Sequence, residues 1–335
     1  MIERNKTIDA LKVIGILLIL FAHIRAPVGI FQIRTFDVPM MVFLSGCSFL
    51  VAGKNNVKFI PYLFSRFIRL LLPVWIFLTC YFIFIYLFDI EYMQKYLNLE
   101  KIISSFTLYE GFGYVWIIRV FLLVAILTPV YLFVINKFGE YVSFFIFLLS
   151  VIFLSFLGEK NLINYKSFTI TDIIIPAISY GLMFITGYCC VRSTNKKMLF
   201  FILVISAFLF SLTCYYNGFH PQSWKYPPLS QYIFYAITIS IILYKTVDFI
   251  YNKINSNSAI LTFIASNTMW IYLWHIPIVE HVIKTRMFND YLIRWAFVSI
   301  VTISVVAVQY LMVKLILKYV NNKKISSVIK KVFTG

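Results

Sequence analysis

The sequence predicts an all-α, polytopic membrane protein of about ten transmembrane helices, and three observations predict it. Of the 335 residues, 61% are hydrophobic and 13% charged, with a mean hydropathy of +0.87. An ordinary soluble domain is about 45–50% apolar and about 25% charged. The apolar residues gather into runs near the length a bilayer core requires. Basic residues crowd into alternate connecting segments, as the positive-inside rule demands.

Taken in order, the runs are 9–26, 36–53, 67–89, 114–135, 141–157, 172–191, 198–216, 230–251, 259–283 and 291–317. The first begins with basic residues, as a signal peptide would. It also carries Lys12 and His23, lacks an A-x-A site and leads straight into further spans, so it is expected to be an uncleaved helix. The fifth is the shortest and stops at Gly158-Glu159-Lys160. No linker, low-complexity tract or clear repeat divides the chain. It reads as one domain, 1–335, with a basic tail at 318–335.

Charge sets the expected orientation. With the N-terminus in the cytoplasm, the inner segments carry 18 Lys or Arg against four acids, and the outer segments 11 against nine, Lys12 counted apart. An even span count with both termini cytoplasmic satisfies the rule and an odd count breaks it. The net charge of +17 is therefore a topology signal and an attraction for anionic lipid. It is not a nucleic-acid footprint. The tail KYVNNKKISSVIKK reads either as a short basic amphipathic helix on the inner leaflet or as a solvated tail. Cys47, Cys80, Cys189, Cys190 and Cys214 all lie in apolar stretches with no CxxC or metal-ligand spacing, so no metal is expected.

Ionisable groups inside spans are the candidates for chemistry, because burying them in a bilayer is costly. Lys12 and His23 are eleven residues apart in the first run. On a helix that is roughly three full turns, placing both on one face about 16 Å apart. Asp9 lies one turn before Lys12 and can pair with it. A neutral imidazole is the best general base at neutral pH, although a lone intramembrane His also serves as glue between helices. No Ser or Cys shows a nucleophile motif to compete with His23.

Arg66 and Arg69 stand at i, i+3 where the third span enters from the cytoplasm. Their forked guanidiniums suit phosphate oxygens, and positive-inside anchoring is the plain alternative. Ser45-Gly46, after Pro39, allows close helix approach. Trp116 begins the fourth span, either as an interfacial anchor or as a stacking surface. Arg119, three residues on, is membrane-embedded and needs a partner. Lys225 sits in a Pro-rich outer loop that suits a carbohydrate or is merely structured. His275 lies mid-span, two residues before the kinking Pro277, and reads equally as structural or functional.

Together these segments resemble the integral-membrane acyltransferase family 3. The opening family pattern stands as IDALKVIGILLILFAH (8–23), with Lys12 and His23 in the motif positions. The remaining elements follow in order as VPMMVFLSG (38–46), RFIR (66–69), YVWIIRVFLL (114–123) and YLWHIP (272–277), and the KYPP loop (225–228) is similar to that of members that modify polysaccharides. Lys12 stands where Arg is commoner, the fourth-span Trp-Phe start is absent, and no extracytoplasmic hydrolase-like domain is fused.

The resemblance implies an acyl-CoA donor, usually acetyl-CoA, and a hydroxyl acceptor on a surface glycan or its lipid-linked precursor. No tightly bound cofactor is implied. The expectation is an O-acetyltransferase of the bacterial inner membrane. His23 acts as general base or carries an acetyl-imidazole intermediate. Lys12, Arg66 and Arg69 hold the donor's phosphates. Asp9, Ser45, Trp116, Lys225 and His275 are candidate substrate contacts. The rival readings are a transporter or flippase, and a polymerase, of lipid-linked glycans. Neither needs acyl-CoA, and no transporter-like repeat symmetry is visible.

Overall fold

The computed structural model describes residues 4–53, 58–109, 114–160, 162, 167–192, 196–254 and 258–334. Helices dominate these residues and no strand occurs among them. In chain order they are α1 (Lys6–Ala22), α2 (Val28–Ile33), α3 (Asp37–Val51), α4 (Phe59–Phe88), α5 (Leu99–Phe106), α6 (Trp116–Glu159), α7 (Ile175–Arg192), α8 (Lys196–Asn217), α9 (Ser230–Ile254), α10 (Ala259–Ser266), α11 (Thr268–Lys284), α12 (Tyr291–Tyr319) and α13 (Lys323–Phe333). Short 3-10 turns at Arg34–Phe36 and Glu91–Tyr96 precede α3 and α5, and a π-helical turn at Thr169–Ile174 precedes α7.

Among the described residues, seven helices are long and apolar enough to cross a membrane. An eighth arises if α10 and α11, bent by 78° at Asn267, count as one span. The runs 114–135 and 141–157 lie on the two sides of Gly139, whose non-helical backbone breaks α6 into two helices. There φ is +80°, which glycine alone adopts without steric cost. The first run becomes the 17-residue α1, which ends at Ala22 rather than continuing to residue 26.

The chain resolves into two compact units whose divisions fall within α1 and α6. Unit one comprises Met1–Gly15, Pro27–Val57 and Leu123–Ser258. Its centre is the contact of α3 with α7. A Cβ built on Gly46 would lie 2.1 Å from the Phe184 carbonyl oxygen, and one on Gly187 would lie 1.9 Å from that of Phe43. Two backbones therefore touch where the sequence supplies Ser45-Gly46 on one side and Thr186-Gly187 on the other, the close approach expected of small residues between membrane helices. Cys47 seals the contact by donating its thiol to the Gly187 carbonyl, 3.2 Å away. Two buried hydroxyls of the unit bond to backbone carbonyls: that of Tyr131 donates to Ala177 and that of Ser179 to Pro228.

Unit two comprises Ile16–Ala26, Lys58–Leu122 and Ala259–Gly335. Here α11 packs against α12 and α4. The Trp274 indole donates to Gln309 at 2.6 Å, and the Phe77 ring meets Trp274 edge-on at 5.7 Å. The end of α1 is held by Trp295, whose indole donates to the Leu17 carbonyl at 3.0 Å. Much of α12 turns large apolar side chains outward, including Ile300, Val308, Leu311, Met312, Leu315 and Ile316. That surface suits lipid rather than water.

Candidate active site

Within unit two, His275 and Tyr114 lie against His23, and Glu280 and Tyr96 join them through Tyr114. The His23 backbone N–H donates to the Leu20 carbonyl at 3.1 Å, so the imidazole follows α1 in the turn that closes the helix. Its Nδ1 lies 3.3 Å from Nε2 of His275. His275 is fully buried on α11, and its Nδ1 is hydrogen-bonded to the Tyr272 carbonyl oxygen.

This connectivity selects the tautomers. A carbonyl only accepts, so His275 Nδ1 carries the proton and its Nε2 carries a lone pair. Neutral His23 then donates Nδ1–H to that lone pair, which leaves the basic lone pair of His23 at Nε2. One backbone carbonyl thus sets the orientation and the protonated nitrogen of both rings.

Tyr114 builds the next wall. Its ring centroid lies 4.8 Å from that of His23 and 5.9 Å from that of His275, edge-on to both. Its hydroxyl donates to Glu280 Oε1 at 3.2 Å, and the Tyr96 hydroxyl donates to the same oxygen at 3.3 Å. The Tyr272 hydroxyl is hydrogen-bonded to the Tyr114 carbonyl, so one residue of α11 also fixes the Tyr114 backbone. Burial, and next the Glu280 charge, push the Tyr114 hydroxyl well above the ordinary phenol range and Tyr96 up to about 12. Both stay protonated donors across the physiological range.

The sequence reading did not single out Tyr96, Tyr114 or Glu280. The signal for Glu280 was present: an acid inside the run 259–283, five residues after His275. Tyr114 stands within the quoted YVWIIRVFLL element. Tyr96 lies in a polar loop and carries no sequence mark.

The other candidates in this unit occupy α4 and α6. Arg66 and Arg69 lie in the first turns of α4. The Arg66 guanidinium sits 5.0 Å over the Tyr62 ring, and Arg69 is exposed. Trp116 opens α6, half-buried. Arg119 finds a partner, its Nη1 donating to the Tyr109 carbonyl at 3.1 Å.

The remaining candidates lie in unit one. Asp9 is buried and ion-paired to Arg4 Nε. Lys12 is half-buried on the part of α1 whose Gly15 meets Met41 of α3. Ser45 donates to the Val42 carbonyl of its own helix at 2.6 Å. Lys225 is 5% exposed in the loop before α9, beside the ion pair of Arg34 with Asp37 (2.5 Å), whose side chains are 4% and 1% exposed. Burial lowers the Lys225 ammonium to about 8, with Asp37 opposing the shift and Arg34 adding to it.

An oriented imidazole pair beside tyrosines bonded to a carboxylate can accept a hydroxyl proton and return it, which is the work of acyl transfer to an alcohol. Comparison with curated proteins and with solved structures gave no match. The family model described as the acyltransferase domain matches residues 5–314, nearly the whole chain. The chain belongs to this family, acyltransferase family 3, and is a multi-pass membrane acyltransferase.

Proposed function

We propose that this acyltransferase is an O-acetyltransferase of the bacterial cytoplasmic membrane. It moves acetyl from acetyl-CoA to a hydroxyl of a cell-surface polysaccharide or its lipid-linked precursor. Ten passes result when α1 counts as one, α6 as two about Gly139, and α10 with α11 as one. Both termini are then cytoplasmic.

His23 Nε2 takes the proton of the acceptor hydroxyl as its oxygen forms a bond to the thioester carbonyl carbon. The carbon–sulfur bond then breaks, and the departing CoA thiolate takes the proton back from the His23 imidazolium. His275 stabilises that imidazolium by accepting from Nδ1, and it acts as a positioning residue. Arg66 and Arg69 offer a forked pair for the donor's phosphates, and Trp116 offers a stacking surface.

The observation that carries the reading is the 3.3 Å bond between His23 and His275, which presents a neutral base at Nε2. The test is transfer from radiolabelled acetyl-CoA to a glycan fraction in membranes bearing the wild-type chain or His23→Ala. Label that requires His23 supports the proposal. Transfer that persists at near-normal rate in His23→Ala overturns it.

A further inference from the structure

The last helix, α13, has two faces. Ile325, Val328, Ile329, Val332 and Phe333 recur at i, i+3, i+4, i+7 and i+8, which places them on one stripe. Lys323, Lys324, Lys330 and Lys331 occupy the opposite side, and residues 291–335 contain no Asp or Glu. Only the end of the apolar stripe is used within the fold. The Val332 carbonyl accepts from the Trp270 indole at 2.8 Å, and the Phe333 ring stacks on Trp270 at 5.4 Å, 8° from parallel. The first turns leave Ile325 53% and Val328 41% exposed.

The position of α13 in unit two identifies what covers that face. Phe77 of α4 is level with Trp274 of α11, and Tyr96, which follows α4, bonds Glu280 near the far end of α11. The two helices therefore run in the same direction, and Trp270 lies toward the α4 end that carries Arg66 and Arg69. Val332 and Phe333 close on Trp270 there, with α13 packed against α4. The preceding helix α12 exposes large apolar side chains down to Leu315 and Ile316, and its last turns add exposed Lys314, Lys318 and Tyr319, the last 85% exposed. That is the pattern of a lipid-facing helix ending in an interfacial aromatic. Four residues later α13 begins, Asn322 capping it through bonds to the N–H groups of Lys324 and Ile325.

We infer that α13 is an interfacial helix that docks on anionic lipid. It lays Ile325 and Val328 into the acyl boundary of the leaflet next to the Arg66/Arg69 end of α4, with its four lysines on the headgroup phosphates. An apolar stripe of this size is weak by itself, and the surface lysines strengthen its attachment to an anionic leaflet. Occupancy therefore depends on lipid charge. The inference stands independently of the acyl donor and acceptor.

The test is amide hydrogen exchange of residues 323–333 in the full-length protein, compared between nanodiscs of phosphatidylcholine alone and nanodiscs containing phosphatidylglycerol. Exchange is expected to slow several-fold in the anionic discs and to regain speed in 1 M salt. A variant with all four lysines replaced by glutamine, and separately Ile325→Ser, should lose the difference. The Trp270 contact, which neither variant touches, keeps α13 in place in both. Equal exchange in the two compositions overturns the inference. So does protection that appears in neutral discs only when acetyl-CoA is added, since α13 would then be a nucleotide contact.

Discussion

His23 and His275 share one hydrogen bond, from Nδ1 of the first to Nε2 of the second at 3.3 Å, and the bond from His275 to the Tyr272 carbonyl gives it its direction. His275→Ala removes the acceptor that holds the His23 ring. The expected result is a kcat lower by about 10²–10³, within the range that a general base contributes, with little change in the KM for acetyl-CoA. Steady-state kinetics on purified protein separate the two parameters. A rise in KM at constant kcat would make His275 a donor contact instead.

Tyr114 is expected to act through its ring and its hydroxyl separately. Tyr114→Phe keeps the edge-on contact with His23 but removes one of the two donors to Glu280. Hydrogen bonds to charged groups contribute about 1.5–3 kcal/mol, so the thermal midpoint should fall while turnover falls less than in His275→Ala. Tyr114→Ala, which also removes the ring, should lower both. Thermal melts and turnover on the same preparations check the order.

The glycine contact between α3 and α7 tolerates no side chain. Gly46→Ala or Gly187→Ala drives a methyl to about 2 Å from a backbone carbonyl oxygen, where no flexible group can yield. Overpacking of this kind costs 1–3 kcal/mol or more. Both variants should show a large loss of folded, detergent-stable protein by size-exclusion chromatography. Gly29→Ala, with nothing near its added Cβ, should not.

Lys225 links stability to pH. Its folded value of about 8 lies below the ordinary lysine value of 10.5. Between these pH values the unfolded chain holds a proton that the folded chain has released, so stability rises with pH across that window. Below about 8 the buried ammonium imposes its full penalty. The thermal midpoint of the wild type should therefore gain on that of Lys225→Met as pH is raised from 8 toward 10. Parallel curves would show that the lysine does not change charge there.

Composition and run length made the helical membrane class legible, and the order of short motifs made the family legible. The Gly46 contact was readable as a small-residue approach. The end of the first span was less so: α1 stops at Ala22 rather than at residue 26. His23 and His275 were both candidates, yet their bond was not legible. Across 252 positions, no periodicity on one helix says which residue of another it meets. Glu280 carried a mark, an acid in an apolar run, but Tyr96 gained meaning only when its loop folded back onto α11.

The most direct measurement of the central claim is single-turnover acetyl transfer by purified His23→Ala at saturating acetyl-CoA, with donor binding followed in parallel. The account predicts that acetyl-CoA still binds, since Arg66 and Arg69 are untouched, and that no acetyl reaches the glycan acceptor on the wild-type timescale. Transfer at near wild-type rate would contradict it and place the base elsewhere.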